Sequence, residues 1–102
     1  MKQIIDGKRY DTETATLIGS HERGYPGDLH HIFEGLYLTG KGNFFLHGKG
    51  GAASRYGESC GNESWGSSRI TPMSREEAFE WAQTHLSPDE YEGVFADAIE
   101  DA

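Results

Sequence analysis

A chain of 102 residues has the length of one domain and room for one modest core, too little for a second domain or a deep, enclosed active site. A mean hydropathy of −0.67 and no apolar run near the ~20 residues of a spanning helix exclude that kind of membrane segment. Twelve aromatic residues argue against disorder. The formal net charge is −8, from 9 basic and 17 acidic residues. That is the wrong sign for holding phosphates, so nucleic acid is not the expected direct ligand.

In chain order, the first predicted element is a hairpin. Gln3-Ile4-Ile5 leads in and Lys8-Arg9-Tyr10 leads out of Asp6-Gly7, a pair that favours a type I′ turn because both central residues need positive φ. Asp11 or Thr12 can cap one helical turn through Ala15, and Thr16–Gly19 predicts a strand. Pro26 and its flanking glycines make residues 23–28 a loop. The strongest strand signal runs from His30 to Thr39. Ile32, Leu36 and Leu38 point one way with Glu34 among them, and Phe33, Gly35 and Tyr37 point the other. Thr39–Asn43 is a turn, and Phe44–His47 is the returning strand.

Residues 48–68 hold six glycines and several serines. They predict a long loop with one turn around Ala52–Tyr56, and a loop of that length is functional or mobile. Arg69–Met73 predicts a last short strand, with Pro72 at an edge. Ser74 and Glu77 then form a capping box. In the helix 74–86, Phe79, Ala82 and Leu86 share a face with Ala78 and His85 beside them, opposite Glu76, Glu77 and Glu80. Ser87, Pro88 and Glu90 start a second helix over 87–100. Its apolar face is Tyr91, Val94, Phe95, Ala98 and Ile99, and its outer arc is Glu92, Asp97, Glu100 and Asp101. The expected fold is one α+β domain over 1–102. Four to five short strands form an antiparallel sheet, and two C-terminal helices pack on one face. Residues 1–73 are the β-rich part and 74–102 an acidic helical hairpin.

Charge divides the chain unevenly. Residues 1–74 hold eight bases and eight acids, while residues 75–102 hold Arg75 alone against nine acids, so the whole surplus lies at the C-terminal end. An acidic outer arc is usually solvated surface, and acids in a first turn suit the helix dipole. Salt-bridge-laced helices, however, alternate signs, and this stretch does not. Of the five histidines, His30 and His31 are adjacent and point apart in a strand. His21, His47 and His85 are free to converge, but no spacing matches a zinc pattern. No metal, cofactor or catalytic residue is therefore expected.

Cys60 is single, which excludes an intrachain disulfide and a cysteine-based zinc site. No neighbour in sequence supplies the base that a nucleophilic thiol needs. Gly48-Lys49-Gly50-Gly51 lacks the phosphate-loop pattern. Trp81 falls at the rim of the first helix's apolar face, and Trp65 in the glycine-rich loop is a lid or a contact anchor. The start of the chain has no signal-peptide h-region.

Three stretches carry a resemblance: Ile4–Ala15 (I-I-x-G-K-R-Y-D-T-E-T-A), Leu36–Gly51 (L-Y-x-T-x-x-G-x-F-F-L-x-G-x-G-G) and Ser74–Trp81 (S-x-E-E-A-x-x-W). Together they resemble a family of small acidic proteins of bacterial phages, plasmids and integrative elements. The resemblance implies a bacterial cytoplasmic setting and, by association, anti-CRISPR-like proteins, which bind Cas effectors. It assigns no functional residue. The expectation is a non-enzymatic inhibitor that occupies a basic, nucleic-acid-handling surface, with a Cas effector as its target. Glu76, Glu77, Glu80, Glu92, Asp97 and Glu100 are the expected contacts. The alternatives are a regulatory module of a mobile element that binds another protein through loop 48–68, and a small enzyme using histidine and Cys60.

Overall fold

A computed structural model describes residues 1–102. The chain opens with the expected hairpin, β1 (Lys2–Ile5) and β2 (Lys8–Asp11), paired antiparallel. Asp6 and Gly7 take φ of 52° and 78° at its turn, the positive values a type I′ turn demands. Asp11 then caps a short turn, its carboxylate accepting from the Glu13 backbone N–H at 2.9 Å.

The main sheet has four antiparallel strands in the order β3 (Thr16–Arg23), β4 (Ile32–Leu38), β5 (Phe44–Gly50) and β8 (Ser67–Met73). Pro72 sits on edge strand β8 opposite Phe45, where no further strand needs its missing donor. Alternation along β4 and β5 divides the core between the two faces of the sheet. Leu36, Phe44 and Leu46 pack with Ala78, Trp81, Ala82, Leu86 and Phe95 on one face. Phe45 and Ile70 pack with Tyr10 of the β1–β2 hairpin on the other.

Residues 48–68 are more ordered than a loop. β5 runs on to Gly50, and β8 begins at Ser67. Between them lies a second small hairpin, β6 (Glu58–Cys60) and β7 (Glu63–Trp65), all six residues exposed. Glycine composition concealed these pairings, because the β5–β8 ladder supplies the order from a distant strand. The expected turn at Ala52–Tyr56 is present as two successive turns, with Ser54 N–H bonded to the Gly51 carbonyl at 3.0 Å and Gly57 N–H to the Ser54 carbonyl at 2.9 Å.

Helix α1 (Arg75–His85) starts at the expected capping box. Ser74 Oγ accepts from Glu77 N–H at 3.1 Å, and Ser74 N–H donates to the Glu77 carboxylate at 2.8 Å. Trp81 is more buried than a rim position, at 8 % exposure. The second helix expected over 87–100 does not form at that length. Only α2 (Pro88–Tyr91) forms, followed by turns and one 3-10 turn at Ala96–Ala98. Ser87 and Pro88 start it as read, and Glu90 accepts from both the N–H and the hydroxyl of Ser87. The helix then fails beyond Glu92, at Gly93, a poor helix former. Phe95 nevertheless reaches the core and is fully buried, stacked on Phe44 and Phe79. The apolar spacing thus marked a buried residue inside irregular chain. No helix is long and apolar enough to cross a membrane.

Candidate functional site

The six acids read as contacts are all exposed, but they do not share one helical face. Glu76 and Glu80 stand one turn apart on the outer arc of α1. Glu77 is engaged in the cap, and its hydrogen bonds with the Ser74 backbone and side chain hold its carboxyl below the usual carboxylate range. Glu92 caps the short α2, Asp97 lies in the 3-10 turn and pairs with Arg75, and Glu100 follows in irregular chain. With Asp89, Glu90 and Asp101, all nine acids of residues 75–102 are exposed, and Asp97 alone has an ion-pair partner.

A second constellation is built around an acid that sequence reasoning left unassigned. Strand register aligns His21 of β3, Glu34 of β4, Gly48 of β5 and Arg69 of β8 in one row across the sheet. Glu34 lies on the helix-facing side, 1 % exposed. Gly48 is required beside it, because a Cβ there would lie 1.9 Å from the Tyr56 hydroxyl. The missing side chain lets Tyr56 cross β5 and donate to Glu34 Oε2. Arg55 donates to the same oxygen at 3.1 Å. Oε1 bonds His21 Nε2 at 2.9 Å and accepts from Trp81 Nε1 at 3.4 Å. Arg69 stands 5.1 Å over the Tyr56 ring.

Burial alone would push the Glu34 carboxyl upward. The Tyr56 and His21 hydrogen bonds, the Arg55 charge and the Trp81 hydrogen bond outweigh it and hold Glu34 below the usual carboxylate range. Burial and the adjacent carboxylate push the Tyr56 phenol far up, so it stays a donor. Trp81 and His85, one helical turn apart on α1, close the row from above. The His85 ring stacks on His21 with centroids 4.2 Å apart and planes at 6°. Burial and the nearby His21 lower the His85 pKa, which favours the neutral ring. His21, Glu34 and His85 offer ligand atoms within 4.8 Å of one another.

Of the three histidines free to converge, two meet. His47 pairs with Ile70 on the sheet face that carries the β1–β2 hairpin. His30 is exposed, and His31 is buried and paired with Glu22. Cys60 is exposed on β6, outside the histidine cluster. Glu34 had a signal in the sequence: it is the charged residue inside an alternating apolar stripe. Arg55 and Tyr56 had none, since only the path of the β5–β8 connection brings them there. No family model, curated protein or solved structure matches this chain.

Proposed function

We propose that the protein acts without catalysis, by stoichiometric binding to a basic, nucleic-acid-handling protein surface. In this reading it is an anti-CRISPR-like inhibitor from a bacterial mobile element, and its target is a Cas effector. The supporting observation is that nine acids between residues 75 and 102 are exposed and only Asp97 is neutralised by a neighbour. Such a surface projects a field of one sign, which steers encounter with a Lys/Arg-lined channel. Glu76 and Glu80, four residues apart, stand ~6 Å apart along α1, near the spacing of backbone phosphates. Carboxylates desolvated against arginine form charge-assisted, often bidentate, bonds.

The test is binding of guide-loaded Cas effectors across a salt series, with DNA as competitor. Binding should weaken as salt rises and should be lost to excess DNA. The variant with Glu76, Glu80 and Glu92 all changed to Gln should associate more slowly. Affinity that is independent of salt and unchanged in that variant would sink the acidic-surface reading.

A second reading rests on the β6–β7 hairpin, where Trp65 is 44 % exposed and bonded only at its edge to Glu58. An exposed tryptophan on a projecting hairpin is a candidate contact anchor. Loss of binding in Trp65→Ala, with the triple variant unaffected, would favour that reading.

A further inference from the structure

We propose that His21, Glu34 and His85 form a binding site for a single divalent transition-metal ion of the zinc and cobalt class. Two imidazoles and one carboxylate are a donor set that first-row divalent ions take, with the remaining positions open to water. The three ligands come from β3, β4 and α1, so a bound ion would tie the sheet to its covering helix. Strand register fixes two of them, since His21 and Glu34 are direct cross-strand partners. Their atoms already lie 2.9 Å apart, bridged by one proton. An ion at Nε2 displaces that proton, and the neutral ring then carries its proton on Nδ1 instead.

The carboxylate is oriented as a metal ligand should be. Tyr56 and Arg55 both hold Oε2, which leaves Oε1 to His21, on whose ring His85 stacks. Hydrogen-bonded outer groups of this kind fix the angle of a ligating carboxylate. Trp81 donates to Oε1 at 3.4 Å, a long contact that an ion can displace. Arg55 opposes a dication, but its side chain is 57 % exposed, so solvent screens it. One ring must move. The stacked imidazoles hold their lone pairs in two parallel planes, and convergence on one ion requires one ring to turn out of the stack. The ring to turn is His85, the last residue of α1, because His21 is already bonded to Glu34. The absence of a zinc spacing in the sequence does not bear on this site, because its ligands are 13 and 51 residues apart and meet only through the fold.

Trp81 supplies the readout, with its ring 5.6 Å from His21 and 5.1 Å from His85. The only other tryptophan is Trp65. The experiment is cobalt(II) titration of chelator-treated Trp65→Phe protein, following the fluorescence of Trp81. Quenching should saturate at one equivalent and be reversed by zinc(II). His85→Ala should weaken it at least about tenfold, with the helical circular dichroism retained, while His30→Ala should leave it unchanged. Histidine resonances of the wild-type chain provide a check that needs no variant: those of His21 and His85 should move with zinc, and those of His30, His31 and His47 should not. Quenching without saturation, equal quenching in His85→Ala, or zinc shifts confined to the other histidines would each overturn the site.

Discussion

The same side-chain chemistry is used in opposite ways in two regions of this molecule. In the sheet, one carboxylate, Glu34, is removed from water and bonded by four side chains from three other parts of the chain. Beyond Ser74, nine carboxylates stay in water, and one has an ion-pair partner. A buried charge must be compensated where it stands, so Glu34 dictates its surroundings, down to the missing side chain at Gly48. An exposed charge dictates almost nothing locally, and its effect is on what approaches from outside. The first arrangement specifies structure and gathers the ligating groups of His21, Glu34 and His85. The second is free to specify a partner.

The largest expected effect tests how the acidic region is attached at all. Since α2 is only four residues long, packing rather than helix content must hold the last part of the chain. Phe95 is the anchor, fully buried between Phe44 and Phe79. Phe95→Ala should lower unfolding free energy by about 3–5 kcal/mol in a urea melt. A loss under about 1 kcal/mol would mean that the acidic segment is not fastened to the sheet there.

Next in size is the buried carboxylate itself. Glu34→Gln keeps the shape and removes the charge that Arg55, His21 and Tyr56 share. The cost should be about 2–3 kcal/mol, the scale of losing hydrogen bonds to a buried charged acceptor. Changing Glu80 to Gln in the same assay should move stability by no more than about 0.5 kcal/mol. Equal costs at the two positions would erase the distinction between the regions.

Legibility in the sequence followed the same division. Local chemistry was readable: the Asp6-Gly7 turn, the β4–β5 hairpin, the Ser74–Glu77 cap and the extent of α1 all depend on residues close in sequence. The second helix was misread because Tyr91, Val94 and Phe95 have helical spacing, yet the chain at Gly93 leaves the helix and still delivers Phe95 to the core. Residues 48–68 looked like loop because their order comes from pairing with β8 and from Tyr56 lying over Gly48. The Glu34 cluster was half visible. The acid stood out against Ile32 and Leu36, but its partners lie 13 to 47 residues away along the chain.

A smaller effect concerns a group that belongs to neither region's acids. His47 is half-buried on the hairpin side of the sheet. Burial, the N-terminal ammonium and Lys49 all lower its pKa. A histidine with a depressed folded-state pKa contributes stability that is present above the ordinary value near ~6.5 and is lost as pH falls through the lower one. Wild-type stability minus that of His47→Gln should therefore shrink as pH falls below about 6.5. A difference that stays flat as pH falls below that value would show that the surroundings of His47 do not disfavour its charged form.

The smallest expected effect on stability is also the sharpest test of the comparison. Changing Glu76, Glu80 and Glu92 together to Gln removes three exposed charges that have no cationic partner. If these acids are held outside the folding balance, each change should fall within about 0.5 kcal/mol. The sign is set by repulsion. Nine acids against Arg75 repel one another, so neutralising three should leave stability equal or slightly raised at low salt, and that gain should fade as salt screens the remainder. Urea midpoints of wild type and triple variant at low and high salt measure this directly. A triple variant that loses more than about 1 kcal/mol at both salts would make the acids part of the fold. A variant that melts like wild type but binds a basic partner more slowly would separate the two uses of carboxylate: Glu34 retained for structure, and the exposed acids for encounter.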